Sequence, residues 1–462
     1  MNEDTPRPSL RPALPEFSVK RFSTILKMAA IAILALLLLI PLAMVDAVLR
    51  ERLARRDAAV SEIAATWGSQ QVIAGPVLIV PYRYTQKSWT DQAVDGRVTR
   101  VETAESVRGR ACFLPAALSI DGRLDPDRLH RGIYETVVYS GTLKVSGSFA
   151  KPSFDEWGVD PGMVLWNEAE IAMSVTDLRG ARESVQVRLA GQPYSLTPGH
   201  PLKAFDSGIS ARVKGLDPSL ETIPFDMALT LKGSRGLRVA PVGVNNDVRI
   251  ASSWPDPSFQ GAFLPAEREV GPDGFAAHWR VSYYGRSYPQ QWTEQNAFDA
   301  KSVASSLFGV DLLPALDSYR HVERAIKYGI LVIALVFTAF FLFEVLAPVR
   351  VHPFQYTLVG FALCLFYLGL LALSEVTSFA TAYWSGAAAS SLMIALYSAK
   401  VLESSGRAFA VAAGLAAVYA FLYVILRLQD LSLLVGTAGL FLVLAAVMYL
   451  TRNIDWYARD RE

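Results

Sequence analysis

Apolar and polar positions alternate differently in different parts of this chain. Residues 328–450 read as five hydrophobic spans in succession, and a sixth, residues 25–45, stands alone about 280 residues earlier. An apolar helix needs about 20 residues to cross a hydrocarbon layer about 30 Å thick, and each of the six meets or approaches that length. Lipid offers the backbone no hydrogen-bonding partner, so all six are expected to be helices. Residues 46–324 look different. A helix-compatible run at 46–67 gives way to short apolar stretches broken by Gly, Pro and Asp, at 77–82, 170–176, 184–189, 225–231, 248–252 and 275–284. Another lies at 134–149, where Ser140-Gly141 suggests a hairpin turn. This spacing predicts a mainly antiparallel β-domain, most simply a sandwich.

The chain therefore reads as an α-helical membrane protein, one span plus five, carrying a large extracytoplasmic β-domain. The predicted segments are an N-tail at 1–24, an anchor at 25–45, the β-domain at 46–324, a five-helix bundle at 325–451 and a C-tail at 452–462. Of 44 basic and 43 acidic residues, only nine fall within 325–451: Lys327, Glu344, Arg350, Glu375, Lys400, Glu403, Arg407, Arg427 and Asp430. The near-neutral balance gives no argument for nucleic acid as a partner.

The first span exceeds the apolar core of a cleavable signal peptide, and a charged helical run follows it at once, so a retained anchor is expected. Basic residues near the spans set orientation. The N-tail carries Arg7, Arg11, Lys20, Arg21 and Lys27. On the same side fall Arg350, Lys400, Arg407, Arg452, Arg459 and Arg461, whereas the opposite short loops hold only Arg427. Both termini are thus expected in the cytoplasm and residues 46–324 outside the inner membrane, in the periplasm if the source is a two-membrane bacterium. Arg50, Arg52, Arg55 and Arg56 locally argue the reverse, although Glu51, Asp57 and Glu62 interleave them.

Cys112 lies in the β-domain and Cys364 in a span, so no disulfide is expected between them. The five His show no metal-ligand spacing, and no metal or cofactor is implied. A phosphate loop, nucleophile elbow or metal motif is missing too, which argues against an enzyme; Asp273 with His278 is a candidate pair by proximity alone.

Other residues offer sites. Pro255, Pro257 and Pro265 exclude a regular helix and an interior strand, so residues 253–269 should form an extended, ordered loop. Within this candidate binding loop, Trp254, Pro255, Phe259 and Phe263 either fill a groove or pin the loop to the sheet, and pinning is the ordinary role. Glu344 and Glu375 are candidate intramembrane polar groups, since charge in hydrocarbon is costly. Their ordinary role is interfacial pairing, Glu344 with Arg350 or His352. Ser385, Gly386, Ala387, Ala388, Ala389, Ser390 and Ser391 permit close helix packing, within the bundle or across a homodimer. Arg452, Trp456 and Tyr457 have the composition of an interfacial anchor.

The stretch Ser253-Trp254-Pro255-Asp256-Pro257 through Phe263-Leu264-Pro265, together with Leu450-Thr451-Arg452-Asn453-Ile454-Asp455-Trp456-Tyr457, resembles the CreD family of bacterial inner-membrane proteins. Ala74-Gly75-Pro76, Asp177-Leu178-Arg179-Gly180, Phe340-Phe341-Leu342-Phe343-Glu344, Arg350-Val351-His352-Pro353-Phe354-Gln355-Tyr356 and Leu371-Ala372-Leu373-Ser374-Glu375 match in the same order. The resemblance implies a link to cell envelope integrity, tolerance of envelope-directed agents and the output of a two-component regulatory system. It brings no catalytic residues. The expectation is a non-enzymatic envelope-stress protein whose β-domain binds an envelope component or regulatory partner while its helices occupy the lipid bilayer. The alternative is a bundle that handles or transports a lipid or small amphiphile.

Overall fold

The computed structural model describes residues 23–94, 97–179, 184–203, 205–312, 318–346, 351–402, 404–428 and 431–452. The chain divides into two compact units, residues 1–54 with 317–462, and residues 55–316. The described α-helices are α1 (Ser23–Leu37), α2 (Leu39–Trp67), α3 (Ala300–Ala304), α4 (Ser318–Lys327), α5 (Gly329–Leu346), α6 (Pro353–Ser374), α7 (Phe379–Val401), α8 (Ser405–Arg427) and α9 (Ser432–Thr451).

Five helical stretches among the described residues are long and apolar enough to cross a membrane: Leu26–Trp67, which joins α1 and α2, and α6, α7, α8 and α9. A sixth arises by joining α4 to α5, which meet at a 46° bend. The second predicted span, taken to begin at Tyr328, thus continues a preceding helix through a corner. The interruption between α1 and α2 has a local cause: Pro41 has no N–H to give the carbonyl of Leu37. Leu38 still donates to Leu34 at 3.0 Å, so the chain continues as a helix.

Glycine lets α1 and α2 approach the bundle. A Cβ on Gly360 of α6 would lie 2.1 Å from Leu38, and one on Gly329 of α5 would lie 2.7 Å from Leu42. Leu38, Leu42, Val45 and Leu49 accordingly share one buried cluster with Ile333, Phe337, Tyr356, Leu363 and Tyr367. Helix α6 starts at a capping box, in which the His352 ring accepts from the Phe354 N–H and the Gln355 side chain accepts from the His352 N–H at 2.9 Å, with Pro353 in the first turn.

The second unit is built from two sheets. The nine-stranded sheet runs Pro257–Gly261, Phe308–Leu312, Gly236–Val239, Gln71–Val94, Ala169–Val175, Ile209–Val213 and Thr197–Pro198; Arg97–Phe113 pairs with Gln71–Val94 and with Gln291–Thr293. The eight-stranded sheet runs Glu267–Gly271, Gly274–Ser282, Asn245–Ser252, Ala117–Arg131, Tyr134–Ala150, Thr222–Ser234, Gln186–Leu189 and Gln192–Ser195. Among the described residues pairing is mainly antiparallel, with two parallel exceptions, Gln71–Val94 with Gly236–Val239 and Asn245–Ser252 with Ala117–Arg131.

Alternation explains the layering. In Thr222–Ser234, Ile223, Phe225, Met227, Leu229 and Leu231 point inward while the residues between them are exposed. Inward residues of both sheets form one continuous core that includes Leu78, Ile79, Tyr139, Phe149, Trp279 and Phe308. Burying each such large side chain contributes about 1.5–3 kcal/mol.

Two local expectations need correction. Ser140-Gly141 does not turn, because Tyr134–Ala150 is one continuous strand and the hairpin closes earlier, at Gly132-Ile133 between Arg131 and Tyr134. Gly132 takes the left-handed φ of 62° that such a turn requires. Gly141 is instead a packing position, where a Cβ would stand 3.2 Å from Leu124. The proline-rich segment is likewise more than a loop: Pro257–Gly261 is an edge strand of one sheet and Glu267–Gly271 an edge strand of the other. Edges tolerate proline because only one side of the strand must donate.

Within this unit the C-terminal end of α2 is clasped from both sheets. Arg179 donates to the carbonyl of Ala65 and to the carboxylate of Asp177, which also accepts from the Ser69 N–H at 3.0 Å. Trp67 donates to the Tyr139 carbonyl at 3.3 Å, and the Lys232 ammonium sits 3.7 Å above the Trp67 ring.

Candidate functional site

Both candidate carboxylates of the helical unit, Glu344 and Glu375, have cationic partners. Glu344, near the end of α5 and 12% exposed at its side chain, is paired with Lys27 of α1. It also accepts from the Val351 N–H and the Tyr356 hydroxyl, each at 3.4 Å. Of the two partners expected from sequence, His352 is not the one, because its ring caps α6; Arg350 lies outside the described residues. Glu375, at the C-terminal end of α6, lies 3.5 Å from the Arg52 guanidinium and accepts from the Tyr319 hydroxyl at 3.2 Å. Pairing and hydrogen bonding offset the cost of removing these charges from water.

These contacts also account for part of the basic run after the first span. Arg50 pairs with Asp46 one turn earlier, and Arg52 with Glu375. Arg324 of α4 donates to the carbonyls of Ile425, Leu426 and Leu428 at 3.1–3.2 Å, where α8 ends and its last carbonyls need donors. Sequence reading missed Lys27, Arg52, Tyr319 and Tyr356 as partners, since each meets its carboxylate through tertiary packing. Asp177 and Arg179 left a signal, opposite charges two residues apart beside a strand end.

The small-residue run in α7 faces inward in part. Gly386 and Ala387 are buried, a Cβ on Gly386 would meet Phe366 at 3.3 Å, and Ser390 donates to the Ala362 carbonyl at 3.2 Å. Ser385, Ala388 and Ala389 are exposed. Arg452 lies 4.0 Å from the Tyr449 ring centroid, while Trp456 and Tyr457 of the expected anchor lie outside the described residues.

In the β-domain, Trp254 is 4% exposed and belongs to the core, with the Arg128 guanidinium 5.1 Å from its ring. Pro255, Phe259 and Phe263 are half-buried. The Phe259 ring meets Phe275 and Trp279 edge-on at 5.8 Å, and Phe263 meets Phe308 at 5.9 Å. Trp279 in turn donates to the Phe263 carbonyl at 3.2 Å. Leu264, between these anchors and Pro265, is exposed.

Titratable groups in the same unit follow their surroundings. Hydrogen bonds and charge from Arg179 hold the Asp177 carboxyl well below the usual range. Burial pushes the Cys112 thiol up to about 12, which leaves it without thiolate at neutral pH. His278 does not pair with Asp273 as proximity suggested; its ring nitrogens face Asp247 at 2.9 Å and Glu267 at 3.3 Å. Among the described residues no group of three or more His, Cys, Asp or Glu is placed to hold a metal ion.

An apolar groove of about 450 Å³ runs between α1 and α5, lined by residues such as Met28, Ile31, Phe337 and Phe341. The Lys27–Glu344 pair lies one residue beyond Met28 and three beyond Phe341.

Residues 23–457 match the family described as inner membrane protein CreD. The Escherichia coli (strain K12) inner membrane protein CreD is 34% identical over 433 residues, covering 94% of this chain and 93% of that one. Solved structures of yeast LTA4 hydrolase, native and with bestatin, align at a TM-score of 0.19 and 7% identity over 48% of this chain and 35% of theirs, which carries no inference. The chain belongs to the CreD family of inner membrane proteins.

Proposed function

We propose that this CreD-family protein is a non-enzymatic support of the cell envelope, in which the helices anchor and a periplasmic β-domain binds an envelope component or a regulatory partner under envelope stress. Both termini lie in the cytoplasm in this reading. The observation that carries it is the pairing of both intramembrane carboxylates, Glu344 with Lys27 and Glu375 with Arg52. Each cation comes from the N-terminal helices, so the charges fasten the bundle together. Recognition then falls to the β-domain, where the segment from Trp254 to Pro265 is anchored by the buried Trp254 and the half-buried Phe259 and Phe263 and presents the exposed Leu264.

A photo-crosslinking residue at Leu264 in intact cells tests this. Capture of a defined envelope molecule or periplasmic protein supports the reading. Capture of nothing, by a protein present in the membrane at normal level, removes the loop from it.

The groove between α1 and α5 favours a second reading, in which the bundle handles a lipid or small amphiphile. Loss of the envelope phenotype on Thr338→Trp, which fills that groove, together with retained phenotype after changes in the β-domain loop, would select it.

A further inference from the structure

The outer face of the eight-stranded sheet carries a row of polar side chains in register near its edge. Cross-strand pairing sets Asp121 opposite Arg249, Arg249 opposite His278, and His278 opposite Glu267. On the two central strands these positions alternate with the buried Val248, Ile250, Ala277 and Trp279, so they share the face away from the core. Their orientations are fixed by neighbours. His278 faces Asp247 and Glu267, Arg280 pairs with Glu267, and Arg249 lies 3.5 Å from Asp247. His278 thereby spends both ring nitrogens on orienting the two carboxylates, and the remaining donors of Arg249 and lone pairs of Asp247 and Glu267 are set before any ligand arrives, which lowers the ordering cost of binding.

This row borders a groove of about 380 Å³ that also takes in Ala251 and Ala276, small residues that let a flat ring come close to the sheet. Strand Gly274–Ser282 then runs directly into Tyr283 and Tyr284, whose rings are 4.2 Å apart. Tyr284 is 82% exposed. Tyr284 follows His278 by six residues, four steps along the strand and two into the short 3-10 turn Tyr283–Gly285, at most roughly 18 Å.

The mixture of groups identifies the ligand class. Cations and anions are interleaved, so the surface complements neither a polyanion nor a polycation. A neutral chain rich in hydroxyls uses donors and acceptors together, and the C–H faces of its rings pack on exposed aromatic rings. We propose that the groove at Arg249 and His278 and the tyrosine pair at Tyr283 and Tyr284 together bind a neutral oligosaccharide long enough to reach both. The inference deepens the reading above that the β-domain binds an envelope component, and names a saccharide as that component.

The test uses the full chain in lipid nanodiscs, which avoids sugar-headed detergent, and titrates β-1,4-linked N-acetylglucosamine oligomers of one to four units by calorimetry. Maltotetraose serves as a second probe. A tetrasaccharide should bind more tightly than its monosaccharide, and Tyr284→Ala and Arg249→Ala should each weaken binding about tenfold without lowering the melting temperature. Failure of both tetrasaccharides to bind the folded protein at millimolar concentration overturns the proposal. So does binding that neither substitution changes. If Leu264 captures a partner in cells while no oligomer binds, this site falls and the wider reading of the β-domain stands. If oligomers bind while Leu264 captures nothing, the site stands and only the loop is removed.

Discussion

The ammonium of Lys27 and the carboxylate of Glu344, 317 residues apart in sequence, form an ion pair that fastens α1 to the end of α5. The Tyr356 hydroxyl of α6 and the Val351 N–H also donate to this carboxylate. A lone N-terminal span thereby becomes part of the bundle.

Removing one member of the Lys27–Glu344 pair should cost more than removing both. Glu344→Gln leaves the lysine without its counter-charge and is expected to destabilise the membrane unit by about 1–3 kcal/mol, whereas Lys27→Met with Glu344→Gln should recover part of that loss. Thermal unfolding of the four proteins in one detergent, arranged as a double-mutant cycle, measures the coupling. A coupling of zero would show that the pair does not hold the helices together.

Arg52 and Glu375 make a second, reversible test. Glu375→Arg should lower stability through like-charge repulsion, and the exchange Arg52→Glu with Glu375→Arg should restore most of it. If the exchanged protein is no more stable than the single variant, the contact with the Tyr319 hydroxyl, rather than charge, fixes this end of α6.

Trp254→Ala removes a core side chain and is expected to cost about 3–5 kcal/mol. Leu264→Ala, at an exposed position of the same segment, should change stability by less than about 0.5 kcal/mol. Melting of the full chain, followed by near-ultraviolet circular dichroism, separates the two. Equal melting temperatures would mean that Trp254 is not the anchor of the segment.

The Asp177 carboxyl titrates below its unfolded value because Arg179 and backbone donors favour the charged form. Its contribution to stability is therefore complete above the unfolded value, near pH 4, and is lost as pH falls from there through the folded value. The wild type should lose stability between about pH 4 and pH 2 more steeply than Asp177→Asn, which lacks this titration. Parallel pH profiles for the two would show that the clasp on α2 does not depend on the charge.

Orientation is tested by cysteine accessibility in sealed cells, in a variant whose two native cysteines are replaced. Cysteines placed at Tyr284 and at other exposed β-domain positions should react with an impermeant reagent from outside. One placed at Ser404, between α7 and α8, should react only after the membrane is opened. Reaction of Ser404→Cys from outside would reverse the proposed topology.

Hydrophobic content by itself settled the division into apolar helices and a β-rich insert, because a span of about 20 apolar residues has few other stable homes. Period-two alternation likewise marked strands such as Ala169–Val175, Asn245–Ser252 and Gly274–Ser282, whose inner faces enter the core. The motifs from Trp254 to Pro265 and around His352 were legible as family features, and the capping box supplies a physical reason for the second. Arg97–Phe113 and Ala117–Arg131 were not legible, because their polar residues are held by backbone pairing with neighbouring strands. Partner choice was also beyond the sequence. Nothing near Glu344 in the chain points to Lys27, and nothing near Glu375 points to Arg52, since distant charges meet only once packing of α1, α2, α5 and α6 has brought them together. The Gly360–Leu38 and Gly329–Leu42 approaches make that packing, and a glycine reads the same in sequence whether it opens a turn or admits a neighbouring helix.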